Sequence, residues 1–175
     1  MNCHLAATLK TLRQSTLVIG YGNDLRGDDG VGQQVARTVE VWGVPNVRSL
    51  AVHQLTPELA AELATVDRVI FVDAYLASAA QDVQVCALEP AHCVATMGHT
   101  SDPQMLLAIA QALYNHHPEA WWVGIPAVNF GLSDRLSPTT EQGMADALEE
   151  IDRLIRQQPL SIAQASVALS SESRS

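Results

Sequence analysis

The chain has 175 residues, 47% of them hydrophobic, which is enough apolar material for one domain with a real core. Its formal net charge of −9 argues against non-specific binding to nucleic acid or to an anionic membrane, because both need a basic footprint. Three cysteines without a CxxC spacing exclude a disulfide framework and a thiolate zinc site.

The first half of the chain predicts two strands and two helices. A continuous apolar run that ends in glycine indicates a buried parallel strand. Valines at helical spacing then indicate an amphipathic helix, and a threonine followed by proline is typical of a helix start. The predicted elements are strand Thr16–Tyr21, helix Val31–Trp42, strand Val47–Ala51 and a helix from Thr56 to about Ala64.

The second half predicts three more strands and two helices. Arg68–Ala74 (RVIFVDA) carries the strongest strand signal, and Val83–Leu88 follows it after only about eight residues, too few for a helical crossover. We therefore expect Val83–Leu88 to run antiparallel, at an edge of the sheet. A helix begins at Asp102–Pro103, Trp121–Ile125 is the last strand, and Ser137–Pro138 begins the final helix.

This order of elements predicts an α/β fold. We expect a three-layer sandwich in which a five-stranded, mostly parallel twisted sheet lies between helices on both faces. Residues 16–156 form the single domain, residues 1–15 an N-terminal extension and residues 157–175 a disordered tail. The N-terminus has no signal-peptide h-region, and no apolar run is long enough to span a bilayer, so we expect a cytoplasmic protein without a membrane partner.

The segment GYGNDLRGDDGVG, residues 20–32, follows the first strand. A dinucleotide fingerprint would place its third glycine at Leu25, and no Gly-Lys-Ser/Thr of a P-loop follows. Three aspartates would also repel a phosphate. We interpret the segment as a tight turn that presents acid at the carboxyl edge of the sheet. The turn residues are Gly20, Gly22, Asn23, Asp28, Gly30 and Gly32.

Several acids and histidines are expected at this edge, where ligands bind in such sheets. Asp28 and Asp29 either cap the following helix or leave one carboxylate for a ligand. Asp73 is either a turn residue or a metal ligand or general base, and His99, before a helix start, is either a loop histidine or a ligand. His53 follows the second strand. Two carboxylates and an imidazole would suit Zn²⁺ or Ni²⁺ and leave positions open.

A thiol triad of Cys93, His99 and Asp73 is conceivable from residue types alone. Nothing in the spacing of these residues supports it. No HExxH motif and no Gly-x-Ser-x-Gly elbow is present in the sequence either.

The motifs, taken together, resemble the hydrogenase maturation endopeptidases. The segments are GYGNDLRGDDGVG, FVDA, GHTSDP, WWVGIP and LSPTTEQG, and the resemblance extends over residues 16–156. The HQLTPEL and WWVGIPA regions are most similar to the branch that serves bidirectional, NAD-linked [NiFe] hydrogenases.

The resemblance implies an aspartyl-type endopeptidase that makes one cut near the C-terminus of the hydrogenase large-subunit precursor, after nickel insertion. It implies that Asp29, Asp73 and His99 contact nickel carried by that precursor and perform catalysis, without an organic cofactor. Other members have an acidic turn where this chain has His53 to Thr56, so a specificity role there would involve a neutral or cationic side chain. The alternatives are a zinc-dependent hydrolase of small peptides and a non-proteolytic nickel-binding chaperone.

Overall fold

The computed structural model describes residues 14–77, 82–91 and 102–156. Several parts of the sequence predictions lie outside these ranges: the proposed ligand His99, Cys93 of the thiol triad, residues 1–13 of the N-terminal extension and the tail from 157.

The five strands form one sheet in the order β2-β1-β3-β5-β4. They are β1 (Thr16–Tyr21), β2 (Val47–Val52), β3 (Arg68–Leu76), β4 (Gln84–Leu88) and β5 (Glu119–Ala127). β4 pairs with β5 in the antiparallel sense at one edge, while all other pairs are parallel. The prediction of one antiparallel edge strand is confirmed, because the short link from β3 leaves no room for a crossover helix.

The four helices are α1 (Val31–Trp42), α2 (Ala60–Leu63), α3 (Pro103–Tyr114) and α4 (Pro138–Arg156). Two short 3-10 helices precede α1 and α2, at Gly27–Gly30 and Pro57–Leu59. The helix predicted from Thr56 to Ala64 is therefore divided, and only its last turn is α-helical. Thr56 occupies the N-cap position, but its side chain makes no capping hydrogen bond.

Two apolar clusters lie on opposite faces of the sheet, as the three-layer prediction requires. α2 and α3 cover the face that contains Leu17 and Phe71, and Leu107 of α3 packs in that cluster. α1 and α4 cover the other face, with Val18 and Ile151 in its core. Successive residues of a strand point to opposite faces, so strands that are buried on both faces appear in the sequence as continuous apolar runs.

β3 and β5 are longer than predicted, and this changes the position of Asp73. Pairing of β3 with β1 ends at Val72, whereas pairing with β5 continues to Leu76 and Ala127. Pro126 is tolerated inside β5 because β4 pairs with β5 only as far as Gly124, so no partner strand needs the missing N–H. Asp73 is thus an internal residue of β3, just beyond the point where β1 ends.

None of the helices within the described ranges is both long and apolar enough to cross a membrane.

Candidate functional site

The turn after β1 brings the backbone of α1 close to the sheet. A Cβ atom at Gly32 would lie 2.5 Å from the carbonyl oxygens of both Tyr21 and Val72. Gly22 has φ +128°, and a Cβ there would lie 1.9 Å from the carbonyl oxygen of Asp29. Glycine is therefore required at these positions, and the absence of side chains lets the acidic segment fold back over the end of β1.

Other glycines of the turn also lie too close to neighbouring backbone for a Cβ atom to fit. A Cβ at Gly20 would lie 1.8 Å from the carbonyl oxygen of Gly32, and one at Gly30 would lie 2.6 Å from Cα of Asp24. Asn23 stabilises the turn through its side-chain oxygen, which accepts a hydrogen bond from the N–H of Leu25 at 3.0 Å. The turn is thus built from backbone contacts that no larger residue would permit.

Asp28 is fully buried, and its carboxylate binds the segment that follows β5. Oδ2 accepts hydrogen bonds from the N–H groups of Val128 and Asn129 and from the Ser137 hydroxyl, while Oδ1 accepts from the Ser137 N–H. Burial by itself would raise the pKa of Asp28, but these hydrogen bonds outweigh it and the pKa is lowered. Asp28 therefore supports the N-terminus of α4, and neither it nor Asp29 caps α1.

Asp29 is only partly buried, unlike its neighbour. Its Oδ2 accepts one hydrogen bond, from the backbone N–H of Asn23 at 2.9 Å. Among the described residues no donor reaches Oδ1. The side chain is therefore oriented by the turn and still offers a carboxylate oxygen at the carboxyl edge of the sheet.

Asp73 lies beside a wall of aromatic side chains. The Tyr21 hydroxyl lies close to Asp73, and the Trp122 side chain lies close to Tyr21. Gly124 is the register partner of Asp73 on β5, and a Cβ at Gly124 would lie only 2.2 Å from the Trp122 indole. Because Gly124 has no side chain, the Trp122 indole has room to lie next to Tyr21.

This wall partly shields Asp73 from water and changes its ionisation. The pKa of Asp73 is raised to about 6, mainly by burial and in addition by the charge of Asp29, while the hydrogen bond from the Ala74 N–H and the nearby Tyr21 hydroxyl oppose the shift. Burial and the nearby Asp73 charge also raise the pKa of Tyr21, so its hydroxyl stays protonated and can donate. Asp29 and Asp73 are therefore close enough to interact electrostatically.

His53 lies exposed at the same edge, at the end of β2, and a buried glutamine connects it to the turn. Nε2 of Gln33 is 2.6 Å from the carbonyl oxygen of Gly22 and 3.5 Å from Nδ1 of His53. The carbonyl oxygen of His53 accepts a hydrogen bond from the Gly22 N–H. Arg37 donates to the side-chain oxygen of Gln33, which fixes the orientation of the amide.

Thr56 lies further along the same loop. The backbone N–H of Glu58 and the Thr56 hydroxyl lie near the Glu58 carboxylate and lower its pKa. Thr56 therefore contributes to the local turn, and His53 is the side chain of this segment that faces the turn after β1.

The site thus contains two neighbouring carboxylates and a histidine at its margin. Within residues 14–77, 82–91 and 102–156 no group of three metal-binding side chains is assembled. Asp29 and Asp73 offer two oxygen donors to a divalent cation, or one general base next to a charged neighbour. A third ligand would have to come from elsewhere, either from the chain or from a substrate.

Tyr21, Gln33 and Trp122 are not among the predicted site residues. Tyr21 ends a predicted apolar strand and Trp122 belongs to another, so neither carries a polar signal. A buried polar residue next to the apolar stripe of α1 was the available signal for Gln33, since such a side chain needs hydrogen-bond partners.

Comparison with known proteins places this fold. No protein-family model and no curated protein matches the sequence. Among solved structures, the [NiFe] hydrogenase maturation protease HybD from Thermococcus kodakarensis aligns over 80% of this chain and 98% of its own, with 22% identity and a TM-score of 0.63. The hydrogenase maturating endopeptidase HybD from E. coli aligns over 81% of this chain and 92% of its own, with 22% identity and a TM-score of 0.63.

A third similar structure is the hydrogenase 2 maturation peptidase from Thaumarchaeota archaeon SCGC_AB-539-E09. It aligns over 82% of this chain and 99% of its own, with 22% identity and a TM-score of 0.61. At this identity the likeness establishes a shared fold. The five-stranded sheet, with its antiparallel edge strand and its layers of helices, is therefore the fold of the hydrogenase maturation proteases.

Proposed function

We propose that this protein is a hydrogenase maturation endopeptidase, which removes the C-terminal extension of a [NiFe] hydrogenase large-subunit precursor after nickel insertion. Asp29, Asp73 and His99 would contact the nickel that the precursor carries and position the peptide that is cut. The nickel then belongs to the substrate, and the enzyme needs no organic cofactor.

The observation that carries this proposal is the meeting of Asp29 and Asp73 at the carboxyl edge of a sheet with the maturation-protease fold. Asp29 is held by the turn after β1, and Asp73 by the interior of β3. The charge of Asp29 opposes ionisation of Asp73. A divalent cation placed between them would relieve that repulsion, so the pair is suited to receive one.

The donor set also explains how the enzyme would inspect nickel without removing it. Two carboxylate oxygens and one imidazole nitrogen bind Ni²⁺ weakly compared with the cysteine thiolates of a hydrogenase centre. A weak and open site contacts the metal on its substrate and then releases it. The attacking water would be activated either by the metal or by a carboxylate base that takes its proton, and both routes depend on Asp73.

Finer assignments belong to the same proposal. We infer that the precursor comes from a bidirectional, NAD-linked hydrogenase and that the reaction takes place in the cytoplasm. His53 would contact the precursor where other members of the family have an acidic turn, with Thr56 shaping the loop. The exposure of His53 and its contact with Gln33 support this role.

Mass spectrometry of nickel-loaded and nickel-free precursor before and after incubation tests the proposal. We expect cleavage of the nickel-loaded form alone. Asp73→Asn and His99→Ala should each lower the cleavage rate at least about a hundredfold, as expected when a positioned catalytic group is lost. Asp146→Asn, on the exposed face of α4, and His117→Ala are the matched controls and should retain full activity.

The alternatives give different results. Equal cleavage of both precursor forms would reject the nickel check, and full activity of Asp73→Asn or His99→Ala would reject the site assignment. An intact precursor that stays bound to the protein would favour a nickel-binding chaperone. Cleavage of short unrelated peptides by a protein that retains its own zinc would favour a zinc hydrolase.

A further inference from the structure

Apolar side chains are exposed beside the candidate site, on two adjoining loops. Leu25, in the turn after β1, is 66% exposed, and Leu132, in the segment after β5, is 90% exposed. Val128, where β5 ends, is 50% exposed. We call these three residues, together with Arg26 and Arg135, the loop platform.

The two loops form one surface because backbone hydrogen bonds join them. The Ser133 N–H donates to the carbonyl oxygen of Leu25, and the Gly27 N–H donates to the carbonyl oxygen of Ser133. Nε of Arg26 donates to the carbonyl oxygen of Phe130. Backbone hydrogen bonds therefore hold both leucines in place, although their side chains are exposed.

The arginines of the loop platform also differ from the other described arginines in their partners. The described ranges contain seven arginines and no lysine. Five of the arginines form salt bridges with acidic side chains: Arg37, Arg48, Arg68, Arg153 and Arg156. Arg26 and Arg135, both exposed, form none with any described residue. Both belong to the loop platform.

The platform therefore places two arginines without salt bridges to described residues near exposed leucines, in a chain of net charge −9. The leucines would gain from burial against apolar side chains, and the arginines would gain from carboxylates. A surface with both features is complementary to a polypeptide segment that has apolar side chains next to acidic ones.

We propose that the loop platform binds such an apolar and acidic segment of the precursor, outside the peptide that is cut. This inference rests on the proposed function and adds the surface that determines precursor affinity. The platform is fixed to the site, because the N–H groups of Val128 and Asn129 donate to Asp28, the neighbour of Asp29. A segment bound there would deliver the adjoining chain to the carboxylates.

Steady-state processing of nickel-loaded precursor by two double variants tests the platform. Arg26→Glu/Arg135→Glu reverses its charge, and Leu25→Ser/Leu132→Ser removes its apolar contacts. We expect each to raise KM about fivefold or more while kcat stays within about twofold, since the lost contacts are made before the chemical step. Raising the ionic strength should raise the KM of the wild type and have less effect on the charge variant.

Matched controls carry the same substitutions on distant surfaces. Arg153→Glu/Arg156→Glu changes α4, and Val41→Ser/Leu113→Ser changes exposed residues near the C-terminal ends of α1 and α3. A KM of either platform variant equal to that of its control would overturn the inference. Processing by the wild type would leave the proposed function intact in that case, whereas an inactive wild type would reject the proposed function itself.

Discussion

Asp28 and Asp29 are adjacent in the chain, yet their carboxylates have different surroundings. Asp28 is fully buried and accepts hydrogen bonds from three residues of the segment after β5. Asp29 is half-exposed and accepts one hydrogen bond, within its own turn. The first carboxylate therefore connects two parts of the fold, while the second remains able to bind a ligand.

Replacement of each aspartate by asparagine separates these roles. Asp28→Asn should lower the free energy of unfolding by about 2–3 kcal/mol, because an amide cannot accept all the hydrogen bonds that converge on the carboxylate. Asp29→Asn, its matched control, should change that free energy by less than about 1 kcal/mol. Urea denaturation measures both values. Similar losses for the two variants would contradict the division of roles.

At the scale of elements, the junction of β1 with α1 determines the geometry of the site. α1 begins directly over the ends of β1 and β3, and only glycine fits at position 32, where the helix backbone meets both strands. The junction places Asp29 near Asp73. The separation of α1 from the sheet is not determined by helix and strand propensities. It is determined by the absence of a Cβ atom at Gly32.

A comparison of two glycine variants tests the junction. Gly32→Ala places a Cβ 2.5 Å from two carbonyl oxygens, and we expect a loss of at least about 2 kcal/mol in the free energy of unfolding. Gly43→Ala is the control, since Gly43 has φ +60° and a Cβ added there would meet no atom within 4 Å. Left-handed strain alone should cost about 1 kcal/mol there. Equal losses by thermal denaturation would contradict steric exclusion at Gly32.

For the molecule as a whole, parallel pairing brings the ends of β1, β2, β3 and β5 to one edge of the sheet. The glycine turn, His53, Asp73 and the loop platform therefore share one side of the protein. The proposed combination of a weak metal-contacting centre and a separate docking surface would suit an enzyme that inspects a metal on a large substrate.

A weak site should not retain metal in the absence of the precursor. We expect the purified protein, after dialysis against a chelator and then buffer, to contain less than about 0.2 nickel or zinc per chain by elemental analysis, because oxygen-rich open sites release divalent ions readily. Its melting temperature should also be unchanged by the chelator. Zinc near one per chain would contradict this expectation and favour the zinc hydrolase.

Much of the fold could be predicted because its signals are local. The bounds of β1 and α1 agree with the apolar run and with the helical spacing of valines. The antiparallel sense of β4 followed from the length of one link. The early end predicted for β3 was wrong, since its last residues are strand only because β5 pairs with them.

The candidate site was predictable only in part, because sequence signals are local and many contacts of the site are not. Residue types and strand order were sufficient to bring Asp29 and Asp73 to one edge. The partners of Asp28 lie about a hundred positions away in the chain, and the wall beside Asp73 joins Tyr21 of β1 to Trp122 of β5. Patterns of neighbouring residues determined the elements and their order. Burial, hydrogen bonding and the pKa of the carboxylates depend on contacts between distant parts of the chain, and only the tertiary structure decides those.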